Sequence, residues 1–429
     1  MSHQIITTAA LPWICRPLVL SAQKSEVVLS IGGPAAHAHP WRGFGGCFNE
    51  LGWEALQGLD AAARDAILEA LFGQEGCRFT HCRVPIGASD YALEWYSHND
   101  SDGDLEMTHF SIARDERFLL PYIKAAQAIQ PKIEFFASPW SPPVWMKFPR
   151  AYNYGTLLWT PEILKAYALY FVKFIKAYAE KGVPIAQVHP QNEPVADQKF
   201  PSCLWTGPQM GEFIRDHLVP ALHRHGLPVD VYLGTLNTAD FNGFFLPALM
   251  DAKDAIAGAG LQWAGKDMAQ RVHGAFPSLP ITQTENECGD GKQTWDYAEH
   301  VFGLLRHYIA NGASAYVYWN MVLQPGGRST WGWNQNAMIT VDLATKAVVY
   351  THEFYVMKHF AGFIAPGARL LELSGALSAN ALAFRNTDGS TVLVVNNPLP
   401  RSVTVEIAGA IPLHAELPAR SFNTFVLTA

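Results

Sequence analysis

Six cysteines occur in 429 residues, and none falls in a CxxC pair or at a zinc-binding spacing. Cys15, Cys47, Cys77, Cys82, Cys203 and Cys288 therefore read as reduced thiols, mostly packed in the interior. No HExxH is present, and His81, His189 and His273 form no metal constellation, so neither a metal nor an organic cofactor is expected. A basic stripe is also missing. Lys and Arg number 31 against 38 Asp and Glu, a net charge of −7, which argues against a nucleic-acid partner. Gly43, Gly45 and Gly46 are spaced GxGG rather than GxGxxG, and no long helix follows at once, so a nucleotide-binding turn is not indicated. The first twenty residues are apolar but broken by Pro12, Arg16 and Pro17. They fit neither a secretion leader nor a membrane span, so a cytoplasmic chain with no span is expected. Internal repeats and low-complexity tracts are absent as well.

What is present is an ordinary globular balance, with 49% hydrophobic and 16% charged residues, enough to bury a large core. Thirteen Trp residues stand out. An indole needs burial for its ring and a partner for its N–H, and a sugar cleft supplies both uses. The length suits a barrel of about 250–350 residues plus a smaller unit.

Between residues 41 and 360, short apolar runs alternate with helical patterns. Strands are predicted at 43–48, 78–86, 132–140, 185–193, 229–237, 255–263, 280–285 and 313–320. A helix opens at Thr160-Pro161, with Thr as cap and Pro in the first turn, and ends at Gly182. Another runs from Thr294 to Gly312. Eight strands alternating with helices predict an α/β fold, a (β/α)8 TIM barrel. From 361 to 429 the pattern changes to period-two runs, including a hairpin at 381–397 around Asp388-Gly389. Residues 1–40 also contain strand-like runs, at 12–22 and 25–33. Both chain ends are expected to build one small antiparallel β-sandwich beside the barrel.

Barrel chemistry sits at the C-terminal ends of strands. Predicted strand four ends in Asn192-Glu193-Pro194 and strand seven in Thr284-Glu285-Asn286. Two carboxylates at one mouth suit glycosidic bond hydrolysis, one protonating the leaving oxygen and the other attacking carbon or activating water. Glu285 shares a strand face with Ile281 and Gln283 and is preferred over Glu287, which has the same parity but lies past the strand end. Asn192 can hold a sugar 2-hydroxyl. Glu50, at the end of strand one, reads as a supporting residue, and Trp331, Trp333 and Asn334 as residues of the entrance.

HPQNEP (189–194), WRGFGGCFNE (41–50), RVPIGASDY (83–91), FFASPWSPPVWMK (135–147) and FYVMKHFAGFIAPGARLL (354–371) together resemble glycoside hydrolase family 30, the glucosylceramidase-like retaining β-glycosidases. The likeness covers nearly the whole chain. It implies Glu193 as acid/base and Glu285 as nucleophile, with Asn192 beside the acid. It further implies Asp90 holding sugar hydroxyls, Trp140 walling the sugar site, Arg83 supporting the nucleophile and Trp319 as pocket floor. One departure stands out. Glucosylceramidases end strand six in His-Trp-Tyr, with the Tyr hydroxyl on the nucleophile, whereas this chain has Gln262-Trp263-Ala264. Either another group replaces that contact or Glu285 is held differently. The implied substrate is a carbohydrate or glycoside, of glucosylceramide or β-1,6-glucan type. A β-xylosidase or β-fucosidase is the alternative within the enzyme class, and a catalytically silent carbohydrate-binding barrel the alternative outside it.

Overall fold

The computed structural model describes residues 2–18, 25–408 and 412–427. Eight parallel strands close into a barrel: Gly43–Cys47, His81–Ile86, Glu134–Pro139, Ile185–Val188, Asp230–Leu236, Gly258–Gln262, Ile281–Glu285 and Ala313–Asn320. Every predicted barrel strand is present. The glycines of strand one are demanded by packing. A Cβ on Gly45 would stand 1.8 Å from the His81 carbonyl oxygen, and one on Gly46 would stand 2.2 Å from Met321 Cγ. The GxGG run therefore serves close strand approach.

Helix Pro161–Glu180 is capped by the Thr160 hydroxyl, which accepts from the Ile163 N–H, and Gly182 follows with φ +71°. It buries Leu164, Ala168, Phe171 and Ile175 against the barrel. Helix Trp295–Ala310 starts at the Thr294 cap and is followed by Gly312 at φ +92°.

The predicted ends of strand four differ from the structure in a way that matters. Pairing expected through residue 193 stops at Val188. Pro190 offers no N–H and interrupts the ladder, which resumes beyond it as the Asn192 N–H donates to Pro139 O at 2.7 Å and the Thr235 N–H to Gln191 O at 3.3 Å. Asn192 touches back through one isolated bridge to Thr235, and Glu193 turns left-handed with φ +46°.

The second unit is one nine-stranded sheet that doubles over itself. Its order is Ile14–Pro17, His3–Thr8, Ser421–Leu427, Thr391–Asn397, Ala381–Arg385, Arg369–Gly375, Val27–Pro34, Val403–Ala408, Leu413–Leu417. Leu393 and Phe425 from one half meet Leu29 and Val405 from the other in a shared core, which makes it a sandwich. Both chain ends contribute, as expected, with Gln4 opposite Phe425. Two features were not anticipated. Strand His3–Thr8 carried no sequence signal, and Val27–Pro34 pairs parallel with Val403–Ala408, so the sandwich is not wholly antiparallel. Residues 19–22 of the predicted N-terminal strand lie outside the described residues, as do Gly409, Thr428 and Ala429 of the C-terminal runs.

Sandwich and barrel are joined by aromatic packing. Phe422, fully buried, stacks on Trp295 at 4.6 Å and on Phe302 at 5.6 Å. His359 bridges the Thr7 and Thr424 hydroxyls, each at 2.8 Å. Phe422→Ala is expected to remove about 3–5 kcal/mol of stability, as for other buried aromatics. A urea midpoint equal to that of the parent protein would contradict this account of the junction.

Candidate active site

Strands two, three, four, six and seven deliver one connected polar network at the barrel mouth. At its centre lies Arg83, fully buried on strand two. Its Nη1 donates to Glu285 Oε2 at 2.9 Å and to Gln262 Oε1 at 3.2 Å. Its Nη2 donates to Asn192 Oδ1 at 2.6 Å and to Ser138 Oγ at 2.8 Å, while Nε also reaches Ser138 at 3.1 Å. The guanidinium lies 4.4 Å from the Trp140 ring centroid. Trp140 in turn stacks on Trp319 at 5.2 Å.

This network sets the orientation of two amides. Asn192 Oδ1 also accepts from Gln262 Nε2 and Thr235 Oγ1, each at 3.2 Å. Three donors on one oxygen decide the amide flip and turn the Asn192 NH2 the other way. Gln262 Oε1 accepts from Arg83 and from Thr284 Oγ1 at 2.8 Å, so its NH2 faces Glu193 Oε1, 3.2 Å away.

The two acids stand in unequal surroundings. Burial raises both, and their mutual repulsion raises Glu193 further. Glu285, however, directly contacts the Arg83 cation and the Trp263 indole N–H, which donates to Oε1 at 2.9 Å. Glu193 has only the neutral Gln262 amide and is pushed up to about 8. Glu193 therefore holds its proton to the higher pH. The Trp263 contact answers the question posed by Ala264. The donor expected from a Tyr comes instead from the preceding residue, which is left-handed at φ +48°.

A cavity of about 610 Å³ opens above this network, with Glu193, Glu285, Asn192, Asp90, Trp140, Trp263 and Trp333 on its wall. Asp90 Oδ1 and Trp333 Nε1 are buried without a hydrogen-bond partner. Orphaned polar atoms on a cavity wall are what a hydroxyl-bearing ligand would satisfy. Burial, and then the charges of Glu285 and Glu193, hold the Asp90 carboxyl well above the usual carboxylate range.

Three residues named from the sequence do not line this cavity. Arg83, Gln262 and Trp319 lie behind its wall and act through Glu285, Glu193 and Trp140. Trp331 also lies outside it, whereas Asn334 lines it. Glu50 is held by Arg114, 2.8 Å from Nε and 2.9 Å from Nη2, and accepts from the Leu93 N–H, so it supports the loop beside the mouth and does not line the cavity. Glu287 reaches the wall but is paired with Lys266 at 2.8 Å and His300 at 2.9 Å, which pull it down to about 2. It is thus a poor proton donor. Ser138, Thr284 and Lys266 were missed by sequence reasoning. Ser138 sits inside the ASPW stretch and Thr284 beside Glu285, so neighbourhood was the available signal; Lys266 had none. Among the described residues, no His, Cys, Asp and Glu cluster could hold a metal, and no helix is long and apolar enough to cross a membrane.

Comparison with known proteins follows the same outline. The family model described as the glycosyl hydrolase family 30 TIM-barrel domain matches residues 41–364. The model for that family's β-sandwich domain matches 367–425. "Putative glucosylceramidase 1" of Caenorhabditis elegans is 28% identical, covering 90% of this chain and 80% of that protein. "Endo-1,6-beta-D-glucanase" of Neurospora crassa is 26% identical, covering 87% and 82%. The crystal structure of SrfJ from Salmonella typhimurium superposes with a TM-score of 0.89 at 24% identity over 100% of both chains, a likeness of fold. With barrel and sandwich both matched, this chain belongs to glycosyl hydrolase family 30 and is a glycosidase.

Proposed function

We propose that the chain hydrolyses β-linked glucosides with retention, through a covalent glycosyl-enzyme intermediate. Glu193 is the acid/base and Glu285 the nucleophile. The observation that carries this reading is the unequal pair: one carboxyl on a cation and an indole N–H, the other on a neutral amide, sharing one cavity.

In the first step a Glu285 oxygen attacks the anomeric carbon. The bond to the leaving oxygen breaks, and that oxygen takes the proton of Glu193. Positive charge builds on the sugar ring, while the Asn192 NH2 is aimed to hold the 2-hydroxyl. In the second step the Glu193 carboxylate takes a proton from water. The water oxygen attacks the same carbon, the ester to Glu285 breaks, and the β configuration returns. Asp90 and Trp140 recognise the sugar, Asp90 by its free oxygen and Trp140 by its ring face.

On substrate, the relatives carry two kinds of name, glucosylceramidase and endo-1,6-β-glucanase. Outside the acids, the cavity wall carries Asp197, Gln198, Asn237, Lys266 and Glu287. Those groups suit a hydroxyl-rich leaving group better than two lipid chains, which favours a glucan oligosaccharide over a glycolipid.

Glu285→Ala is expected to lose on the order of 10⁴–10⁶-fold in turnover of an aryl β-glucoside. Added azide should return some product, of inverted anomeric configuration; full activity in the variant would remove the assignment. Glu193→Ala should cost about 10²–10⁴-fold on substrates with poor leaving groups and far less on activated aryl glucosides. In the parent protein kcat/KM should fall as pH rises through about 8, where Glu193 gives up its proton. In Glu193→Ala that alkaline limb should vanish, and its persistence would point to another acid. Trp263→Phe removes one donor from Glu285. A lost hydrogen bond to a charged group is worth about 1.5–3 kcal/mol, so kcat/KM should fall by about 10–150-fold. The Glu285 carboxyl should then titrate higher, moving the acidic limb upward in pH. An unmoved acidic limb would mean that the indole does not act on the nucleophile.

A further inference from the structure

Outside the cavity, three loops bring aromatic rings together at the same end of the barrel. Trp95 comes from the loop after strand two, Tyr152 from the loop after strand three and Trp331 from the loop after strand eight. Trp95 lies 5.9 Å from Tyr152 with the rings 11° from parallel, and 4.5 Å from Trp331. Yet Trp95 is 38% exposed. A ring held in place by two neighbours but left open to water forgoes burial that a purely structural Trp would gain.

This platform is continuous with the catalytic cavity. Trp331 packs on Ala88 and Ala92, which flank Asp90 on the cavity wall. Thr330 Oγ1 ties the two loops by donating to the Ala92 carbonyl at 2.6 Å. Two residues further on, Trp333 lines the cavity itself. The rim of the platform is polar. Tyr152 OH donates to Asp100 Oδ1 at 2.6 Å, and an exposed Arg150–Asp102 pair stands at 2.8 Å. Ring faces edged by charged hydrogen-bonding groups match a pyranose, which is apolar on its C–H face and hydroxylated at its edge.

We infer that Trp95, Tyr152 and Trp331 form a binding platform for sugar units of a β-glucan chain that lie beyond the cavity. The inference rests on the glycosidase reading above and extends it to a polymeric substrate. None of the three rings lines the cavity, so an aryl glucoside held at the acids is expected to bind without them.

The test uses the full chain and a soluble β-1,6-linked glucan. In the Glu285→Ala background, which cannot consume the polymer, the protein should be retarded in gels containing the glucan. Adding Trp95→Ala should weaken the apparent affinity about three- to tenfold, the scale of one stacking contact, and Trp95→Phe should restore part of it. In the active protein, Trp95→Ala should leave kcat/KM on an aryl β-glucoside at the parent value. Equal retardation of Glu285→Ala with and without the indole, or no retardation of Glu285→Ala itself, would overturn the platform. A parallel loss on the aryl glucoside would also overturn it, by showing a packing role. Failure of the parent to cleave any aryl glucoside would instead strike the catalytic reading, and the gel measurement would still judge the platform.

Discussion

A fully buried guanidinium is the constraint on which the mouth of this barrel is organised. An ion removed from water costs several kcal/mol unless each donor finds an acceptor and its charge a partner. Arg83 meets that demand through Glu285, Asn192, Gln262 and Ser138, drawn from four other strands or their ends. Each of those groups is consequently held in one orientation. The orientation is also the one the chemistry needs: an ionisable carboxyl on the cation, an amide NH2 turned to the cavity, and a second amide facing the other acid. Stability and preorganisation are here the same set of hydrogen bonds.

From that centre the difference between the two acids follows in large part. Both are enclosed, so both are raised by desolvation. Only one is touched by the cation. The gap between them therefore reflects which carboxyl Arg83 and the Trp263 indole can reach, and Glu287 sharpens the contrast. It lies two residues from Glu285 and on the same cavity, but Lys266 and His300 hold it ionised. A cavity carboxyl with no proton to give is no rival to Glu193 for the acid role proposed for it.

Much of this was legible before the fold was known. The eight barrel strands follow from apolar runs and their spacing, and the pairing of both chain ends from leftover period-two segments. Glu193 and Glu285 follow from asking what each strand ends with. The illegible parts share a cause, which is that they depend on tertiary partners. His3–Thr8 has no alternation because neighbours on either side, rather than its own pattern, make it a strand. The parallel pairing of Val27–Pro34 is a matter of sheet order, which local sequence does not encode. Trp319 reads as a pocket floor, but burial behind Trp140 sets it one layer deeper. The strand-four end differs because Pro190 interrupts the regular pairing after Val188, and Asn192 and Glu193 rejoin strands three and five by single main-chain bonds rather than by a continuous ladder.

The same local device places functional side chains twice. In a regular strand, neighbouring side chains point to opposite faces, so two successive residues cannot both serve one site. Here Asn192–Glu193 and Gln262–Trp263 do. In each pair the second residue has positive φ, +46° and +48°, and strand six slips register just before Gln262, which pairs with Glu285. The left-handed turn cancels the alternation, so that Asn192 and Glu193 both line the cavity and Gln262 and Trp263 each reach a carboxyl, at the order of 1 kcal/mol that such backbone costs in a non-glycine residue. Ala264, the next residue, has no side-chain donor to add. That position lines the cavity. The chain thus departs from the family's His-Trp-Tyr at 262 and 264, while the shared tryptophan, turned left-handed, supplies the donor to Glu285.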